Sequence, residues 1–197
     1  DSGFDADEAV EVRVVVVVIP EGVTEIGASA FENCLTVTNN DSNELIVSND
    51  GDIANKAFYN CSELNIATII NVGSIQNLVF ANCTGLKTVS LGDSIKSIGS
   101  NAFENCTTLS EIVIPNGVIS IGESAFNGCT SMTKALVGNG VTSIGSSAFA
   151  DCASLDSIYI GCKVATVGKN AFYDCKKLPN IPIPAGVTTI DDYVFSG

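Results

Sequence analysis

Phenylalanine returns along this chain as a regular beat: Phe31, Phe58, Phe80, Phe103, Phe126, Phe149, Phe172 and Phe195 are separated by 27, 22 and then five times 23 residues. Self-similarity at a period between about 20 and 50 residues marks a solenoid, in which one supersecondary unit is stacked and each copy buries its neighbours' flanks. Function must then be sought on repeated surfaces, because no isolated pocket motif interrupts the pattern.

The unit is clearest in Ile112-Val113-Ile114-Pro115-Asn116-Gly117-Val118-Ile119-Ser120-Ile121-Gly122-Glu123-Ser124-Ala125-Phe126-Asn127-Gly128-Cys129. Ile98-Gly99, Ile144-Gly145 and Val167-Gly168 fill the slot of Ile121-Gly122. Ala102-Phe103, Ala148-Phe149 and Ala171-Phe172 fill that of Ala125-Phe126. The repeat leaves no gap for a second domain, so residues 1–197 read as one domain, with 1–11 as an N-terminal cap and repeats over about 12–195.

Each copy divides into three segments. An alternating β-branched triplet such as Ile112-Val113-Ile114, Val89-Ser90-Leu91 or Ile158-Tyr159-Ile160 reads as a strand. A turn follows, in which Pro20, Pro115 or Pro184 leads into Gly22, Gly117 or Gly186; proline ends pairing because it has no amide hydrogen to donate. A second short extended piece, such as Val118 to Ile121, ends at a glycine. The closing Ser-Ala-Phe-x-x-Cys places Ala, Phe and Cys at i, i+1 and i+4, which suits one helical turn capped by serine or asparagine. Coils pairing in parallel about 4.7–4.9 Å apart would make a rod roughly 40 Å long from eight copies.

This frame, I-x-I-P-x-x-V-x-x-I-G-x-x-A-F-x-x-C, resembles the 23-residue leucine-rich repeat called BspA-like or Treponema-type. The copies ending at Cys34 and Cys129 satisfy it almost in full. The copy from Leu45 to Cys61 departs from it, lacking the proline and the Ile-Gly, and four extra residues lie near Asn39 to Asn43. The resemblance implies a right-handed leucine-rich-repeat solenoid with a parallel β-sheet on its concave face, short second strands and short helical turns. It also implies a secreted or cell-surface protein of a host-associated microbe, adhesin-like, and names no ligand.

Composition narrows the function classes. Apolar residues make up 46% and charged residues 16%, as in a folded protein. The longest apolar run, Val14 to Ile19, has strand length and is too short for a membrane helix. Asp1 is preceded by neither methionine nor a charged-then-apolar leader, and a removed targeting segment is the expectation. A formal charge of −13 repels phosphate backbones and anionic lipid, which argues against nucleic acid as a partner. With no histidine in the chain, Ser-His-Asp and Cys-His arrangements are impossible, and the expectation is no enzyme and no cofactor.

Seven of the eight cysteines, Cys34, Cys61, Cys83, Cys106, Cys129, Cys152 and Cys175, occupy one slot three residues after each phenylalanine. Side chains stacked in parallel at the strand spacing do not meet disulfide geometry, so the seven are expected as small buried residues, with no metal bound. Cys162 falls in a turn, exposed, where it is either a tolerated turn residue or a thiol for intermolecular pairing. The oxygen-rich stretches Asn39–Asn43 and Asn49–Asp52 lack the spacing of a calcium loop and read as turns. Asn40, Asn60, Asn82 and Asn105 meet the glycan-acceptor rule, the last three as a by-product of the repeat. Ser124 and Ser147 are expected to be caps and turn formers.

Alternation along the first strand places Ile112 and Ile114 inward and their neighbours outward. Val113, Leu136 and Tyr159 then form a patch on three consecutive coils, with Glu111 and Lys134 beside it and Ile46 and Ile66 further along the same face. The patch fits a protein ligand. The alternatives are a spacer or self-assembly segment with no external ligand, and a glycan-binding module, for which one exposed tyrosine and no tryptophan provide little platform. Asp1 to Glu11 is expected to cover the first coil. The last repeat stops at Phe195-Ser196-Gly197, before its cysteine slot, so either a distorted coil ends the stack or the natural protein continues.

Overall fold

The computed structural model describes residues 16–18, 23–38, 44–48 and 51–197, and they form a parallel β-solenoid. The first side of the coil carries β1 (Val16–Val18), β2 (Thr36–Thr38), β3 (Glu44–Ser48), β4 (Ile66–Ile70), β6 (Thr88–Leu91), β8 (Glu111–Ile114), β10 (Lys134–Val137) and β12 (Ser157–Tyr159). These make a β1-β2 pair and two three-stranded sheets, β3-β4-β6 and β8-β10-β12. The second side is one six-stranded sheet of two-residue strands: β5 (Ser74–Ile75), β7 (Ser97–Ile98), β9 (Ser120–Ile121), β11 (Ser143–Ile144), β13 (Thr166–Val167) and β14 (Thr189–Ile190). Single bridges at Ile26 and Ile53 extend it. Six coils therefore carry a full second strand and two more are reduced to one bridge, which reconciles six complete turns with eight aromatic positions.

The inward column is continuous. The eight repeat phenylalanines, Phe31 to Phe195, stack in order, with ring centroids 5.1–5.7 Å apart and planes within 11° of parallel. Phe58 through Phe149 have no exposed surface. Isoleucines of both sides, Ile112, Ile114 and Ile121 among them, close over the rings, so one dry core runs the length of the stack. A buried phenylalanine of this kind stabilises by roughly 1.5–3 kcal/mol through apolar burial alone.

The third side differs from the expected helical turn with a serine cap. No helix is formed there among the described residues; each coil instead makes two successive turns with a left-handed residue in each, such as Ser124 (φ 52°) and Gly128 (φ 72°). Amide groups alternate in what they serve. Asn127 N–H and Cys129 N–H bond back within the coil to Ser124 and Phe126 carbonyls. Ser124, Phe126 and Gly128 N–H reach Ser146, Ala148 and Ala150 carbonyls of the next coil at 2.8–2.9 Å. A six-residue α-helix would bear the nucleation cost for few bonds and aim its unpaired amides along its own axis rather than at the next coil, so the stack wins. Asn33, Asn60, Asn82 and Asn105 occupy the second left-handed position, where asparagine is tolerated better than most residues.

Two local features depart from the repeat. Around the insertion the chain makes an extra pass, β2, which pairs with β1 in register and buries Val37 completely, before β3 joins β4. At the far end Pro182 stands where a partner for β12 would lie, and Ile183, Ile190 and Phe195 are 42%, 55% and 43% exposed, whereas Ile114, Ile121 and Phe126 in the same slots are buried. Phe172, Leu178, Ile181, Ile183 and Phe195 border a cavity of about 320 Å³ there. The expected cap, Asp1–Glu11, and the stretches Asn39–Asn43 and Asn49–Asp50 lie outside the described residues, as does Asn40. No described helix is long and apolar enough to cross a membrane.

Candidate binding face

Strand register decides which outward side chains meet. In the β8-β10-β12 sheet, Leu136 aligns with Val113 on one side and Tyr159 on the other, and Lys134 aligns with Glu111 and Ser157. Ile112, Ala135 and Ile158 between them are buried, so alternation forces the first two sets outward. Val113 is 54% and Tyr159 47% exposed, Leu136 is half-buried, and Glu111 and Lys134 are exposed. The sequence-derived patch is thus contiguous over three coils, with its charged pair in the adjoining row.

Ile46 and Ile66 sit apart from it. They belong to the β3-β4-β6 sheet, where Ile46 aligns with Thr68, and Ile66 with Glu44 and Thr88. Both are half-buried. Thr68 and Ser90 interrupt the apolar row, and the Thr68 hydroxyl donates to Glu44 Oε1 at 3.0 Å. The two isoleucines are diagonal neighbours on separate rows and do not extend the Val113–Leu136–Tyr159 stripe.

Asn139, in the turn after β10, was not signalled by alternation. Its Oδ1 accepts the Tyr159 hydroxyl at 3.0 Å and the Cys162 N–H at 3.1 Å, while its own N–H donates to Asn116 Oδ1 at 2.7 Å. The repeat-spaced pair Asn116 and Asn139 is the sequence feature that marks this link. Tyr159 is held at its polar end while its ring stays exposed, so little side-chain entropy remains to be lost on contact.

The cysteine column offers no chemistry to the face. Cys61, Cys83, Cys106, Cys129 and Cys152 are buried and unpaired, and Cys34 and Cys175 are half-buried. The thiols of Cys61, Cys83, Cys106, Cys129, Cys152 and Cys175 each donate to a phenylalanine carbonyl of the preceding coil at 3.1–3.3 Å. Burial pushes the Cys83 and Cys106 thiols well up and Cys129 to about 12; a thiol hydrogen bond with Cys175, then burial, raises Cys152. Neutral, enclosed thiols are poor nucleophiles and poor metal ligands. Cys162 is exposed in its turn, as expected.

The acceptor asparagines are tied into the stack as well. Asn60 and Asn105 donate side-chain amides to Asn33 and Asn82 Oδ1 at 2.9 and 3.1 Å, and Asn82 donates to the Tyr59 hydroxyl.

The repeat frame and this coil geometry agree with known sequences. The profile of the BspA type leucine rich repeat region matches residues 12–108 and 51–179, counting six copies. The chain belongs to that family. Among solved structures, a leucine-rich repeat protein from Bacteroides ovatus is 30% identical with a TM-score of 0.81, over 91% of this chain and 48% of that one. This BspA-type chain therefore spans about half the length of that relative. The Treponema pallidum leucine rich repeat protein shares the fold at 23% identity and a TM-score of 0.55, over 84% of this chain and 78% of that one. The pneumococcal vaccine antigen PcpA shares it at 18% identity and 0.50, over 78% and 37%. Comparison with curated proteins finds no match.

Proposed function

We propose that this BspA-type solenoid is a secreted or cell-surface protein that binds another protein, host or matrix in origin, along its strand-lined first side. The observation that carries the reading is the outward row Val113–Leu136–Tyr159, brought into register by β8, β10 and β12 with its tyrosine pinned. A strand face made only for water would carry more charge than this one does. Tyrosine is among the residues most often found as an interface anchor, and affinity would be spread over several coils with Tyr159 and Val113 at the centre. Catalysis and cofactors have no part in it.

The test is binding of the 197-residue chain to immobilised extracellular-matrix proteins, beside the variants Leu136→Asp and Tyr159→Asp. The expected result is a ligand whose affinity falls at least about tenfold in both variants while the melting temperature holds. Variants that bind as well as the parent overturn the reading. If the only change is lost self-association in sedimentation, the face is an assembly surface instead.

A further inference from the structure

Asparagine precedes glycine three times, at Asn116–Gly117, Asn127–Gly128 and Asn139–Gly140. In such a step the glycine amide nitrogen can attack the asparagine side-chain carbonyl carbon. The N–Cγ bond closes a five-membered ring, the amide proton passes to solvent base, and ammonia leaves with a proton taken from water. Water then opens the succinimide to aspartate or isoaspartate. Glycine favours the attack because no Cβ shields its nitrogen.

The structure separates three steps that are covalently alike. Asn127 is half-buried and Gly128 buried, with the Gly128 N–H committed to the Ala150 carbonyl at 2.9 Å. Asn116 and Asn139 are exposed in turns between strands, and neither Gly117 nor Gly140 N–H makes a hydrogen bond among the described residues.

Electrophile activation then ranks the two exposed sites. Negative charge builds on the asparagine Oδ1 as the ring closes, and donors already aimed at that oxygen stabilise it as an oxyanion hole does. Asn116 Oδ1 receives one donor, the Asn139 N–H at 2.7 Å; Asn139 Oδ1 receives two, the Cys162 N–H and the Tyr159 hydroxyl.

We propose that Asn139 is a site of spontaneous deamidation, the fastest of the three, with the Tyr159 hydroxyl and the Cys162 amide as its oxyanion donors. Aspartate at 139 adds a negative charge beside Tyr159 at the edge of the first side. Isoaspartate inserts a methylene into the main chain of the turn and shifts the acceptor that holds the tyrosine. The reaction is independent of what the face binds, so its failure and that of the binding reading are distinguishable.

The experiment incubates the folded 197-residue chain at mildly alkaline pH and follows tryptic peptides by mass spectrometry. Peptide 135–163 contains a single asparagine, Asn139, so amide-to-acid conversion there is unambiguous. The expected order is Asn139 ahead of Asn116, with Asn127 last, and Tyr159→Phe slows conversion at Asn139 about two- to tenfold without changing Asn127. Conversion at Asn116 or Asn127 that matches or exceeds Asn139, or an unchanged rate in Tyr159→Phe, overturns the proposal. The order in the parent protein decides the point even if the variant is perturbed.

Discussion

The thiol of Cys129 donates to the carbonyl oxygen of Phe103 in the preceding coil at 3.3 Å, and Cys106 N–H reaches the same carbonyl from within the coil at 3.2 Å. One acceptor thus serves both the turn and the stacking contact, using both its lone pairs. This explains why cysteine holds the slot. Alanine would leave a void and an acceptor bonded once, while a larger apolar side chain would push the aromatic column apart.

Replacing Cys129 by alanine should destabilise the fold by about 1–2 kcal/mol, from the lost contact and the small cavity. It should also change the alkaline limb. An unfolded thiol ionises near its ordinary value of 9.0, whereas Cys129 in the fold holds its proton up to about 12. Between these pH values the folded state binds the extra proton, so stability is full below pH 9 and falls as pH rises, by up to about 1.4 kcal/mol per unit for this thiol. Urea unfolding at a series of pH values should give a shallower decline in Cys129→Ala; equal slopes would sink the assignment.

Thiol labelling of the native protein should have one fast phase. Cys162 is exposed, the five fully buried thiols are sealed, and half-buried Cys34 and Cys175 should lag. Cys162→Ser should remove the fast phase, and denaturant should release the remainder together. A fast phase that survives the substitution would mean that the column opens locally.

The coil was legible because burial repeats: Phe126, Ile121 and Cys129 recur at fixed spacing and their apolar character states which way they face. The third side was not, because Ala, Phe and Cys at i, i+1 and i+4 fit a helical turn as well as a double turn. The deciding signal was the asparagine before Cys34, Cys61, Cys83 and Cys106, left-handed at Asn33, Asn60, Asn82 and Asn105. Strand β2 was hidden for a different reason: Thr36-Val37-Thr38 falls beside an insertion and breaks the period. On the face, alternation turned Val113, Leu136 and Tyr159 outward, with Ile46 and Ile66 further along the same side. Only the strand register places those two on separate rows of another sheet.

Gly122→Ala should be more disruptive than its single methyl suggests. A Cβ there would lie 2.6 Å from Gly99 C and Ser100 N, both backbone atoms of the preceding coil that cannot move without opening the ladder. Gly99 and Gly145 meet comparable walls, so the glycine column sets how closely coils approach on this edge. The expected cost is about 1–3 kcal/mol, as for overpacking a tight interior, measured as a lowered urea midpoint. Gly27→Ala is the control, since among the described residues nothing lies within 4 Å of its Cβ position. Equal midpoints for the two variants would show that the coils have slack.

Phe126 and Val113 provide the contrast between core and face. Phe126 has no exposed surface, and its ring lies between Phe103 at 5.2 Å and Phe149 at 5.1 Å, so Phe126→Ala removes two stacking contacts and leaves a cavity mid-stack. A loss of about 3–5 kcal/mol is expected. Because each coil contacts only its neighbours, the break should also weaken coupling between the two halves, lowering the m-value or splitting the transition. Val113→Ser, with more than half of Val113 already in water, should change stability by less than about 0.5–1 kcal/mol, with its backbone pairing to β10 retained. Urea titrations followed by far-UV circular dichroism measure both. A costly Val113→Ser would place that side chain in the fold's own packing and remove it from the binding face.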